Sequence, residues 1–190
     1  MSASRLTRHV SEIYLKDSSL SASKVSSLCE IIKQSTSLTA LDLCFNLIGS
    51  CDASAIAEAI AQSKSPLVKL DLCGNEIGFV GASAIAEAIK KSKSLLATVD
   101  LSYNRISAEC ASSFVETIKA SKSLTDVNLR GNAIGDVGVS NIAKAAKQST
   151  SLTTLDLRCN QISTRDESFI ADAIAQIKSR AIVILIETKG

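Results

Sequence analysis

Tryptophan is absent from this 190-residue chain, and aromatic residues of all kinds make up 3% of it. A surface that stacks nucleic-acid bases on aromatic rings draws on more of them than that. Charge gives no electrostatic partner either: 21 basic and 19 acidic residues leave a formal +2, so neither nucleic acid nor an anionic membrane is expected. His9 is the only histidine. A metal cluster built on imidazoles is thereby excluded, and a Ser/His/Asp or Cys/His nucleophilic centre would hang on one residue near the N-terminus. Nowhere is there an apolar span of roughly 20 residues, the length a membrane helix needs, and MSASRLTRHVSEIYLK carries no run of signal-peptide type. Together these gaps point to a non-enzymatic soluble protein of the reducing cytoplasm, with no cofactor, no metal, no nucleic acid and no membrane partner.

What the chain does have is apolar content, 46% against 21% charged, enough to bury a substantial core as one domain or one repeat array. The apolar residues recur. LTALDLCFNLIG (38–49) is followed by LVKLDLCGNEIG (67–78), LATVDLSYNRIS (96–107), LTDVNLRGNAIG (124–135) and LTTLDLRCNQIS (152–163). The asparagines Asn46, Asn75, Asn104, Asn132 and Asn160 are separated by 29, 29, 28 and 28 residues, and a fixed period of this size marks a stacked-repeat architecture. Degenerate copies flank the five, VSEIYLKDSSLS (10–21) and AIVILIET (181–188). The reading is one domain over 1–190: about six repeats over 10–180 and a closing strand over 181–188.

The motifs resemble the leucine-rich repeat pattern L-x-x-L-x-L-x-x-N-x-I/L, and the 28/29 alternation is similar to its ribonuclease-inhibitor-like subtype. One departure is that Asn stands where the inhibitor itself frequently alternates with Cys. The resemblance implies an α/β solenoid, a short horseshoe with parallel strands on the concave face and helices on the convex face. It also implies a partner protein gripped by the concave face, and inhibition or regulation of a partner enzyme. Alternatives are a small-GTPase regulator of the repeat-array type, or a recognition fragment of a receptor or of a eukaryote-like bacterial effector delivered to the host cytosol. Met1 falls almost directly before the first repeat, which favours a stand-alone protein over a multidomain receptor.

The residues support the same architecture physically. Between the motifs, two columns at helical spacing are apolar: Leu28, Ile56, Ile85, Phe114, Ile142, Ile170 and Ile32, Ile60, Ile89, Ile118, Ala146, Ile174. An outward column reads Glu30, Glu58, Glu87, Glu116, Lys144, Asp172. Strands stack ~4.8 Å apart but helices ~8–10 Å, so the array must curve with strands inside. Each repeat Asn stands where the chain leaves the strand, and its amide is expected to join neighbouring units in a buried ladder. Gly49, Gly78 and Gly135, against Ser107 and Ser163, seat the following turn. GNEIGFVG (74–81) and GNAIGDVG (131–138) are periodic turns, since neither has the spacing of a phosphate-binding loop.

Six cysteines show no C-x-x-C pairing. Cys29 fills a helix core column. Cys44 and Cys73 share a strand column in neighbouring units, so a disulfide or redox switch is open there, although the missing signal peptide favours free thiols. Asp42, Asp71, Asp100 and Asp156, with Asn128, occupy the middle of L-x-L and project from the inner sheet toward solvent, partly neutralised by Lys16, Lys69, Arg130 and Arg158. Once the structural columns are removed, the candidate partner-binding residues are Tyr14, Lys16, Phe45, Lys69, Asp71 and Asp100, continuing through Tyr103, Arg105, Asp126, Arg130 and Arg158. Aromatics and Arg are the types that become interface hot spots. In the last strand, Val183 and Leu185 are read as pointing into the core. Ile182, Ile184 and Ile186 then point outward as part of a binding or self-association surface, unless the C-terminal residues fold over them as a cap.

Overall fold

The computed structural model describes residues 10–91, 95–163 and 183–186. Three-residue strands alternate with helices: β1 (Glu12–Tyr14), α1 (Ala22–Gln34), β2 (Ala40–Asp42), α2 (Ser50–Gln62), β3 (Lys69–Asp71), α3 (Gly78–Lys91), β4 (Thr98–Asp100), α4 (Ala111–Ala120), β5 (Asp126–Asn128), α5 (Gly135–Gln148), β6 (Thr154–Asp156) and β7 (Val183–Leu185). All seven strands lie parallel in one sheet in chain order. The fold is an α/β repeat solenoid, and every strand meets only the equivalent strands of the units on either side.

The repeat leucines explain the core. Leu41, Leu70, Val99, Val127 and Leu155 are in register on successive strands. They are buried with Leu43, Leu72, Leu101, Leu129 and Leu157 two residues on, and with Ile48, Ile77, Ile106, Ile134 and Ile162 beyond the turn. The helix columns close over them: Leu28, Ile56, Ile85, Phe114 and Ile142 are buried, as are Ile32, Ile60, Ile118 and Ala146, with Ile89 packed at the margin. Small residues let α2 and α3 approach, with Ala57, Ala59, Ala86 and Ala88 all buried. In α4 the corresponding positions are Val115 and Thr117, and that helix is the shortest of those described, preceded by a 3₁₀ turn at Ala108–Cys110. Ile170, Asp172, Ile174, Ile182 and His9 lie outside the described residues.

The asparagines bind units together. Asn75 Nδ2 donates to Leu72 O of its own unit (2.9 Å) and to Leu43 O of the preceding one (3.0 Å), while its Oδ1 accepts from Asn46 N and Ile48 N. Asn132 repeats this with Leu129 O, Leu101 O, Asn104 N and Ile106 N. Asn46, Asn104 and Asn160 make the same kind of bridge, and all five are 5% exposed or less. A second ladder, invisible in the leucine pattern, runs along the helix ends. The serine after each of three helices turns the chain back toward the sheet: Ser35 Oγ accepts from Ser37 N and Leu38 N, Ser121 Oγ from Ser123 N and Leu124 N, Ser149 Oγ from Ser151 N and Leu152 N. The next serine reaches the preceding unit, Ser37 to Val10 O and Ser123 to Leu96 O.

Two expectations change. The turn glycines are not equivalent: Gly78 and Gly135 are left-handed (φ 60° and 66°), but Gly49 has φ −84°, which any residue adopts. In the Gly49 unit the left-handed residue is Leu47 instead, and the helix begins one position later relative to the asparagine. The second concerns the register of the last strand. Ile184 pairs with Leu155, the core column, while Val183 and Leu185 pair with Thr154 and Asp156 on the concave side. Ile186 packs against the hydrophobic core.

Asn104 is fully buried and bridges Leu72 O, Ser102 O and Ile77 N. Asn104→Leu should therefore destabilise the solenoid by roughly 1–3 kcal/mol, the cost of leaving buried backbone groups unpaired. Urea unfolding followed by circular dichroism checks this, and an unchanged midpoint would remove the ladder as a source of stability.

Candidate partner-binding surface on the concave face

Short strands in register place one residue of each unit beside its equivalents. The last strand positions align Tyr14, Asp42, Asp71, Asp100, Asn128 and Asp156 across β1 to β6. The first positions align Lys69 and Asp126 either side of Thr98. Two residues before each asparagine, or before Ser18 in the first unit, come Lys16, Cys44, Cys73, Ser102, Arg130 and Arg158. Of the residues read as partner-binding, Tyr14, Lys16, Phe45, Lys69 and Asp71 lie on the first three units, and Asp100, Tyr103, Arg105, Asp126, Arg130 and Arg158 on the next three.

The residue immediately before that asparagine position is left-handed in six successive units: Asp17, Phe45, Gly74, Tyr103, Gly131 and Cys159, with φ from 52° to 68°. This conformation costs a residue with a Cβ roughly 1–2 kcal/mol, so aromatic residues there need a compensating contact. They have one. A Cβ on Gly74 would lie 2.3 Å from the Phe45 ring, and one on Gly131 would lie 2.4 Å from the Tyr103 ring. Each ring therefore lies across the bare backbone of the next unit, with one face in solvent, and each is 50% exposed. Lys16 Nζ stands 5.5 Å from the centre of the Phe45 ring, within cation–π range. Beside Phe45, Leu47 is 77% exposed. The sequence reading missed it, although its column otherwise holds Ser19, Glu76, Arg105, Ala133 and Gln161 and makes a large apolar residue conspicuous.

The carboxylate column is not uniformly solvated. Asp156 is buried and held by Arg158, whose Nε and Nη2 reach it at 3.0 and 2.5 Å. Burial opposes its ionisation, but the hydrogen bonds from Arg158 and the positive charges of Arg158 and Arg130 outweigh this and lower its pKa. Asp100 accepts from Ser102 and from Asn128. Asp71 differs: burial pushes its pKa up, helped by the Asp100 and Asp42 carboxylates and opposed by the Cys73 N–H and Lys69. Arg158 is thus a structural partner of Asp156 more than a free recognition group. Other candidates are partly occupied too: Arg105 pairs with Glu76 at 2.7 Å, Tyr14 Oη donates to Glu12, and Asp126 accepts from Thr125. Arg130 forms no ion pair among the described residues and lies against Tyr103, its Nε shielded without an acceptor.

On the helix face, three outward acids pair with lysines of their own helices, Glu30 with Lys33, Glu87 with Lys90 and Lys91, and Glu116 with Lys119, while Glu58 accepts from Gln62. The depression over β4 to β6 encloses about 190 Å³, less than the roughly 300–1,000 Å³ of small-molecule sites. A larger apolar groove of about 680 Å³ lies at the first unit, between Ile13, Leu15 and Leu28. In the later units, that surface receives the side chains of the preceding unit. No described helix is long and apolar enough to cross a membrane.

Three segments, 63–86, 120–143 and 148–166, match the family model described as leucine-rich repeat. No curated protein sequence matches the chain. Among solved structures, the chain is similar to that of Leiomodin-1 Actin-Binding Site 2, with a TM-score of 0.50 and 13% sequence identity over 92% of this chain and 84% of that one. A likeness at that identity speaks for the fold alone.

Two expectations arise from the site. Gly131→Ala should displace the Tyr103 ring and cost roughly 1–2 kcal/mol through its left-handed backbone. With only two tyrosines and no tryptophan, near-ultraviolet circular dichroism reads that displacement directly, and an unchanged tyrosine signal would show that the ring does not rest there. Arg158→Met should cost about 1–2 kcal/mol at neutral pH, discounted because the arginine is partly exposed. A carboxylate with a depressed folded pKa stabilises above its unfolded value of about 3.9 and loses that contribution as pH falls through the folded value. The gap between Arg158→Met and wild type in urea unfolding should accordingly narrow in acid.

Proposed function

We propose that this leucine-rich repeat solenoid is a non-enzymatic protein-binding module whose concave face grips a folded partner. The observation that supports it most directly is the pair of rings, Phe45 and Tyr103, each held half-exposed on a glycine floor beside a cation, Lys16 or Arg130. Rigid aromatics next to an arginine outside any described ion pair have the composition of interface hot spots. Their conformational freedom is restricted before binding, which reduces the ordering cost of association. The concave surface is broad and shallow, which suits a macromolecular partner, and three of the convex acids, Glu30, Glu87 and Glu116, are paired within their own helices. The 28/29-residue spacing, with helices between the strands, supports the ribonuclease-inhibitor-like subtype, and with it inhibition of a partner enzyme as the specific form of the activity. Actin, for which the leiomodin-1 region is named as a binding site, is a defined protein to include among the partners tested.

The test compares variants against a partner captured by the tagged wild-type chain. Tyr103→Ala combined with Arg130→Glu is expected to weaken the captured partner's affinity by roughly 30-fold or more, equivalent to about 2 kcal/mol, with the far-ultraviolet spectrum unchanged. Charge reversal at Glu87 and Glu116 should leave the affinity as it was. The opposite pattern would move the interface to the convex face.

A further inference from the structure

Cys44 and Cys73 stand on adjacent rungs of the sheet, two residues before Asn46 and Asn75, and Asp71 precedes Cys73 by two. The two thiol sulfurs and a carboxylate oxygen of Asp71 all lie within 4.8 Å of one another. Local structure holds them there. Asp71 Oδ1 accepts from Cys73 N at 3.1 Å, which turns the carboxylate toward the cysteine instead of into solvent. Asp42 does the same for Cys44 N at 3.0 Å. At this column the later units carry Ser102, Arg130 and Arg158; Asp100 accepts from the Ser102 hydroxyl and the Asn128 amide, and Asp156 is held by the Arg158 guanidinium. Where the column carries cysteine, Asp71 Oδ2 accepts no hydrogen bond among the described residues, because a thiol donates poorly. The neighbouring Asp42 and Asp100 add negative charge to the same patch.

The geometry points to a thiophilic divalent-cation site, with the Cys44 and Cys73 thiolates and the Asp71 carboxylate as ligands and zinc as the cation class. Two sulfurs and one oxygen form a donor set that zinc accepts in tetrahedral coordination, with bonds of about 2.3 Å to sulfur and about 2.0–2.2 Å to oxygen. The fourth position faces the concave surface, open to water or to a donor from a bound molecule. On binding, two S–H bonds break as two metal–sulfur bonds form, and both protons leave to solvent. The ligands belong to neighbouring units, so the cation would clip the second rung to the third.

Cobalt(II) serves as a spectroscopic stand-in for zinc. Titrated into the reduced chain without oxygen, it should develop a near-ultraviolet sulfur-to-metal charge-transfer band and intense visible bands of a four-coordinate ion, saturating at one equivalent and bleached by zinc. Cys44→Ser and Cys73→Ser should each abolish the charge-transfer band or weaken cobalt binding by more than about tenfold. Replacing the exposed Cys51 and Cys159 with serine should leave it intact. Asp71→Asn, which keeps both sulfurs and the hydrogen bond to Cys73 N, should also weaken cobalt binding by more than about tenfold. The site is overturned if the reduced wild-type chain shows no charge-transfer band, if the band survives in the double variant lacking both Cys44 and Cys73, or if Asp71→Asn binds cobalt unchanged.

Discussion

One side-chain amide per unit makes the rest of this molecule possible. A three-residue strand is too short to organise a sheet by itself, and the chain must leave it through a turn whose backbone polar groups face inward. The asparagine at that turn donates to the strand carbonyls of two units and accepts from the N–H groups of one, so it closes the turn and fixes the spacing to its neighbour in the same contacts. Aspartate could not donate and leucine could do neither, which is why the residue recurs at all five full motifs regardless of what surrounds it. The serine ladder does the equivalent work at the far edge, where three of the helices end and the chain re-enters the sheet.

With both edges pinned, the geometry of the inner face follows from a conformational cost. Six successive units are left-handed just before the asparagine position. Two of them meet that demand with glycine, and the preceding units exploit the resulting gap by laying an aromatic ring across it. The alternation of bare backbone and ring is a packing solution that also leaves two rigid apolar faces in solvent. A turn requirement has become a surface feature suited to recognition.

The concave face divides chemically along the stack. Later units balance their carboxylates with Ser102, Asn128 and Arg158, and one of those acids is buried with its pKa lowered by its arginine. The second and third units place thiols beside carboxylates, and there burial raises the pKa of Asp71 instead. The same column of one repeat thus supports two environments, one built on hydrogen-bonded and ion-paired acids and one on thiols. The difference arises from a single residue per unit on an unchanged backbone.

The period, the leucine columns and the role of asparagine were legible in the sequence because each follows from a residue type repeated at fixed spacing. Such repetition can be satisfied only by stacking equivalent units. The concave location of Phe45, Tyr103 and Arg130 was legible for the same reason. What the rings rest on, and which charges are already paired, required the tertiary structure. Gly74 and Gly131 lie 29 and 28 residues beyond the rings they support. Arg158 resembles Arg130 in sequence position, yet only Arg158 grips a buried acid. The last strand shows the limit most plainly: AIVILIET offers alternating apolar residues in either phase. Local pattern could not choose between them, and only the tertiary structure pairs Ile184 with Leu155 on the neighbouring strand.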